Sequence, residues 1–291
     1  MKADQASNTA LIVAAGVQML ARDPDYRAMM PATMAAHGHG LLRASHPRLA
    51  SLVARHWFRT LVYAAEKITL PGILLHYVLR KKVIREYTAQ SIAAGTRQIV
   101  LLGAGYDTLC MELAEQHQAL RLIEIDHPAT QTVKRAAANA SQENRIHYIA
   151  AELGKQNLAD VLGKCEGFDA NLKTLFIAEG LLMYLTSSDV ASFLQQIQLA
   201  STNASLIFTW MEIQTNGRPN FRPASKIIDF FLERKAEPFL SGMAQDQVAR
   251  FLQQHGFNLN DLKESTAASQ QPNKCQAIAG EYICLADCQH A

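Results

Sequence analysis

The sequence predicts an α/β protein built on a doubly wound, mostly parallel sheet. Three observations carry this expectation. From residue 96 onward, short apolar runs alternate with helical stretches, the pattern of strands buried on both faces by crossover helices. The first of these runs is followed directly by Gly103-Ala104-Gly105, a turn that lets a ligand approach the backbone. The second ends in Asp126, roughly 20 residues further on, where an acidic strand end accepts hydrogen bonds from a nucleotide ribose.

The elements follow in order. Residues up to about 95 read as helical. Ser7 to Leu20 is rich in Ala and Leu, with Ser7 or Asn8 as N-cap. Residues near 48–66 and 72–93 also lack strand alternation, and Pro47, Pro71 and Gly72 break the stretch. Gln98 to Leu102 reads as a first strand and Arg121 to Asp126 as a second, with Pro128 opening a helix to about Ala140. Ile146 to Ala150 is a third strand and Thr174 to Ala178 a fourth, followed by a helix from about Ser187 to Leu199. Ser205 to Met211 is a fifth. Gly217, Pro219, Pro223 and Pro238 interrupt the rhythm over residues 213–240, which read as an insertion covering a substrate site. A helix from about Asp246 to His255 and two late strands near 257–263 and 276–285 close the chain. The expected division is a helical cap over residues 1–95 and a ligand-binding core over 96–291.

Composition narrows the function classes. The 291 residues carry 28 basic and 26 acidic side chains, a net charge of +2, so no basic surface argues for nucleic acid. The run Arg80-Lys81-Lys82 by itself reads as a solvated helix face. Five cysteines without a CxxC pair fit neither a disulfide framework nor a zinc site, so a reduced, cytoplasmic setting and no metal are expected. No apolar stretch of about 18 residues suggests a membrane span, and the N-terminus lacks the basic lead of a secretory signal.

The glycine turn and Asp126 together favour a nucleoside ligand, and Glu124 is expected to share the strand face of Asp126. A dinucleotide fingerprint needs a third glycine where this chain has Thr108, which suits an adenosine ligand without a pyrophosphate, S-adenosyl-L-methionine first among them. A nicotinamide-dependent oxidoreductase is the alternative from another enzyme class. His37, His39, His76 and His127 are expected to be hydrogen-bonded structural residues, Phe230, Phe231 and Leu232 helix core, and Trp210 packing. The residues point to no catalytic base.

The segments LLGAGYDT (101–108), IEIDHP (123–128) with Lys134 following, AEL (151–153) and IAEGLLMYL (177–185) together resemble the leucine carboxyl methyltransferase family, and the opening SNTALIVAAGVQMLARD is similar to its bacterial branch, which includes polyketide O-methyltransferases. The resemblance implies a Rossmann-like, seven-stranded class I methyltransferase fold and transfer of a methyl group from S-adenosyl-L-methionine to a carboxyl or hydroxyl oxygen of a small molecule. Protein C-terminal carboxyl methylation or an inactive binding protein are the alternatives. It implies that Arg80 binds the methionine carboxylate and that Gly103, Ala104, Gly105 and Asp107 form the cofactor loop. Asp126, with Glu124, would hold the ribose, Glu152-Leu153 would lie beside the adenine, Glu179 would face the methionine ammonium, and Tyr184 would border the substrate. The chain departs from the family in carrying Glu112 where an arginine is common and Glu152 where an aspartate is usual.

Overall fold

The computed structural model describes residues 7–138, 144–222, 239–268 and 276–289. Seven strands form one sheet: β1 (Gln98–Leu102), β2 (Arg121–Asp126), β3 (Ile146–Ala150), β4 (Thr174–Ala178), β5 (Ala204–Met211), β6 (Phe257–Glu264) and β7 (Glu281–Cys288). Their order is β3-β2-β1-β4-β5-β7-β6. The first five run parallel, while β7 is antiparallel to both β5 and β6. This is the doubly wound, mostly parallel arrangement that the alternating pattern predicts.

Alternation along the strands explains why both faces are covered. In β1, Val100 and Leu102 enter one core with Phe176 and Ile123, while Ile99 and Leu101 enter the other with Leu175 and Leu122. The first core is closed by α8 (Leu158–Gly163), α9 (Ser187–Ala200) and α10 (Gln245–Gln254), through Leu158, Leu194 and Val248. The second is closed by α5 (Ile73–Ala93) and α6 (Leu109–Gln116), through Val83, Ile84, Tyr87 and Met111. Each such fully buried aliphatic side chain contributes about 1.5–3 kcal/mol of transfer free energy. Between β2 and β3 lies α7 (Pro128–Ala137), which starts at Pro128 as expected and ends near Ala137.

Helices α1 (Asn8–Leu20), α2 (Ala32–Ser45), α3 (Pro47–Ala54) and α4 (His56–Thr69) precede α5. The helical stretch near 48–66 is two helices, because Arg55 takes an extended conformation (ψ 129°) between them. Helix α2 falls within the stretch read as helical, without bounds of its own there. Ala15, Met19, Leu42 and Val53 tie the first three helices together.

The last strand begins at Glu281, five residues later than the expected start at 276. Residues Gln276–Gly280 instead form an extended connection that touches Gly72, where the Ile278 N–H donates to the Gly72 carbonyl at 3.3 Å. Gly72 caps α5 with a left-handed φ of 86°, and a Cβ there would meet the Gln276 carbonyl oxygen at 2.1 Å. Backbone cannot swing aside as a side chain can. Gly72→Ala is therefore expected to lower folding stability by about 2 kcal/mol, read from the urea midpoint at unchanged slope.

Of the expected insertion, residues 223–238 lie outside the described residues, and with them Phe230, Phe231 and Leu232. Among the described residues, no helix is long and apolar enough to cross a membrane, and no cluster of His, Cys, Asp and Glu could hold a metal ion.

Candidate functional site

Strand order reverses at β1, which has β2 on one side and β4 on the other. In an open α/β sheet, ligands bind at the carboxyl ends of the strands beside such a switch point. A cleft of about 810 Å³ opens there. Because β1 to β4 are parallel, the segments that follow them reach the same edge: Gly103 to Asp107 after β1, Asp126 at the end of β2, Ala151 to Gly154 after β3 and Glu179 to Leu181 after β4 all line the cleft. Strand β7 runs the other way, so its first residue, Glu281, arrives opposite Met211 at the same edge.

The loop after β1 is fixed by its neighbours. Gly103 and Gly105 take φ values of 66° and 50°, which a side chain would strain. The Gly103 N–H donates to the Ile125 carbonyl at 2.8 Å, and the Gly105 N–H donates to Asp126 Oδ2 at 2.7 Å. Asp126 Oδ1 accepts from the His127 N–H at 2.7 Å. Burial raises the Asp126 pKa, while these two backbone donors and Lys134 work against that shift.

The opposite wall is α5. It buries 13 of its 21 residues, charged ones among them, because it is wedged between the sheet and the N-terminal helices. Arg80 is 6% exposed. Its Nε donates to Glu179 Oε1 at 2.9 Å, and its Nη1 donates to Glu281 Oε2 at 2.9 Å. Lys81 bridges Asp107 and Glu179, the latter at 3.2 Å. The expectation of a solvated basic run therefore fails at Arg80 and Lys81, each of which faces buried carboxylates. One turn on, Arg85 Nη2 donates to Glu112 Oε1 at 2.6 Å and lies 3.6 Å from Asp107 Oδ1. Glu112 thus takes its guanidinium from another helix rather than being one. Asp107 also accepts from the Leu109 N–H at 2.6 Å. Burial would raise its pKa, yet Lys81 and Arg85 hold it well below the carboxylate range.

Glu124 requires a correction. It shares a strand face with Asp126, as expected, but sits one pleat deeper and is fully buried. Lys134 of α7 covers it, with Nζ 2.6 Å from Glu124 Oε2. It does not line the cleft, whereas Arg80, Gly103, Ala104, Gly105, Asp107, Asp126, Glu152, Leu153, Glu179 and Tyr184 do. Glu152 meets Lys155 at 2.6 Å on the half-exposed rim. Tyr184 stacks at a tilt on Phe239, ring centres 5.7 Å apart, and with Tyr77, Met183, Phe221 and Leu240 forms an apolar end. Burial pushes the Tyr77 hydroxyl up to about 12.

The histidines fall mostly into structural roles. His37 pairs with Glu115, His39 with Arg22, and His127 caps α7 while lining the cleft. Trp210 is buried and packs on Phe251. The sequence reading missed Tyr77 and Glu281 and gave Lys81 no role at the site, whereas His76 is hydrogen-bonded as expected. The available signal was α5 itself, whose apolar and charged residues are mixed around every face, as in a helix with no solvent side.

Residues 10–198 match the sequence pattern of the family described as leucine carboxyl methyltransferase. The chain belongs to this family. Among relatives, a Bacillus subtilis protein named as an S-adenosyl-L-methionine-dependent methyltransferase is 33% identical over 122 residues, 40% of each chain. A Saccharopolyspora erythraea protein of the same name is 36% identical over 132 residues, 44% of this chain and 45% of that one. The matched stretches thus span less than half the length of these relatives. The fold is shared with a Thermobifida fusca protein named as a methyltransferase, at a TM-score of 0.60 and 16% identity over 86% of this chain and 94% of that one.

Proposed function

We propose that this chain is an S-adenosyl-L-methionine-dependent O-methyltransferase acting on a carboxyl or hydroxyl oxygen of a small molecule. The observation that carries the reading is convergence. A guanidinium, two acidic strand ends and a glycine turn, separate in sequence, line one cleft of about 810 Å³. The donor set fits the cofactor end by end. Arg80 would orient the methionine carboxylate, Glu179 the ammonium and Asp126 the ribose hydroxyls, with Glu152 and Leu153 beside the adenine.

When bound, the cofactor would supply an electrophilic methyl group on a sulfonium. The protein's share of the work is alignment, which contributes around 7–11 kcal/mol when two reactants are held in line. The apolar end around Tyr77, Tyr184 and Phe239 would exclude water and hold the acceptor's body. A carboxylate acceptor is ionised at neutral pH and needs no base, whereas a hydroxyl gains from one.

Calorimetric titration of the folded protein with S-adenosylhomocysteine is expected to give a dissociation constant in the micromolar range. A folded sample that takes up no S-adenosylhomocysteine, yet is stabilised against heat by NAD or NADP, would overturn the reading.

A further inference from the structure

A buried chain of polar groups behind Arg80 plays no part in holding the cofactor directly. His76 and Glu281 are both fully buried. His76 lies one turn before Arg80 on the same face of α5. Its Nε2 is 2.6 Å from Glu281 Oε2, and its Nδ1 is 2.6 Å from the Ser265 hydroxyl. Glu281 in turn receives Arg80 Nη1 on both oxygens, at 3.1 and 2.9 Å. Thr209 lies near Glu281, and its hydroxyl accepts from the Gly180 N–H at 2.9 Å, which brings the turn after Glu179 beside the same carboxylate.

We infer that Glu281 is a positioning residue that fixes the Arg80 fork and the Glu179–Gly180 turn toward the cleft, with His76 and Ser265 holding Glu281. The inference rests on reading the cleft as a cofactor site. Its physical basis is the count of donors. Arg80 has five N–H groups; those on Nε and Nη1 point into Glu179 and Glu281, and Nη2 also lies 2.8 Å from Glu179 Oε1. What is left for a ligand carboxylate has one direction, because a planar guanidinium clamped on two sides cannot rotate. Glu281 can serve as the clamp only while it keeps its charge and orientation. His76 provides that: a ring nitrogen facing a carboxylate carries a proton, and Ser265 engages the other nitrogen. The four groups come from α5, the segment after β6, and the first residue of β7, so no local sequence pattern could build them.

The experiment compares two ligands. S-adenosylhomocysteine carries the amino-acid portion that Arg80 and Glu179 would grip, and adenosine does not. Glu281→Gln is expected to weaken S-adenosylhomocysteine about tenfold by calorimetry while changing adenosine affinity less than about twofold, since the charge-assisted clamp that aims Arg80 at one end of the ligand is weakened. Equal weakening of both ligands, or of neither, overturns the inference. Absence of binding to the wild-type protein strikes the cofactor reading itself and is a separate result. Should Glu281→Gln not fold, Ser265→Ala decides through the same two titrations, with about a threefold loss expected for S-adenosylhomocysteine alone. No difference between the two ligands in that variant overturns it as well.

Discussion

Replacing Arg80 by alanine is expected to abolish measurable binding of S-adenosylhomocysteine and to lower folding stability by about 3–5 kcal/mol at neutral pH. Both effects have one cause. Arg80 lies between Glu179 and Glu281, and the second of these has no access to water. Alanine leaves the two carboxylates without their shared cation, and breaking one side of a buried pair strands the other. Lys81 at Glu179 and His76 at Glu281 remain, so the protein is expected to fold.

The pH dependence follows from Glu281. Burial alone would raise its pKa, but Arg80 and then His76 lower it from 4.5 to about 2. A depressed carboxylate stabilises the fold fully above its unfolded pKa, and the contribution is lost as pH falls through the folded value. The deficit of Arg80→Ala against wild type is therefore widest at neutral pH. It narrows below about pH 4.5, as denaturation midpoints measured across pH would show. Arg80→Lys separates charge from shape. An ammonium keeps the charge balance, so most of the stability returns, but it lacks the fork and binding stays weak. If Arg80→Ala binds S-adenosylhomocysteine within about threefold of wild type, the assignment of the methionine end to this arginine is wrong.

The legibility of this protein divides along the range of its interactions. The central strands β1, β4 and β5 are visible in the sequence because a parallel strand covered on both faces is mostly apolar, as in Ile99-Val100-Leu101-Leu102. The glycine loop is visible because a left-handed turn needs glycine. Asp126 is visible because it ends a strand. Depth is not visible. Period-2 alternation places Glu124 and Asp126 on one face, but only α7 folding back decides that Glu124 is covered and Asp126 is not. Nor is partnership visible: 201 residues separate Arg80 from Glu281, so a glutamate opening a late strand carries no local sign of its role. Without that partner, Arg80-Lys81-Lys82 looks like any charged helix face.

Glu124 supplies the second large effect. Its carboxylate and the Lys134 ammonium are both fully buried, 2.6 Å apart. Lys134→Met is expected to cost about 3–5 kcal/mol of stability at neutral pH, since the carboxylate is left alone in the core. Here the sign of the pH dependence comes from a raised pKa. Burial pushes Glu124 above its usual range, and Lys134 is the main influence holding it down. Methionine removes that influence, so the carboxyl holds its proton to still higher pH. A raised acid is harmless to the fold while protonated and destabilises it as pH climbs through the folded value. The deficit of Lys134→Met should accordingly grow with rising pH and shrink on acidification. The double variant Glu124→Leu with Lys134→Met removes both charges and should return to within about 1 kcal/mol of wild type, as apolar replacement of buried ion pairs often does. Calorimetry on the same proteins separates core from cleft. Because Glu124 lies behind the cleft wall, the folded double variant should bind S-adenosylhomocysteine within about threefold of wild type. A loss approaching that of Arg80→Ala would restore Glu124 to the ribose site, and with it the face-sharing expectation that the buried position of its side chain argues against.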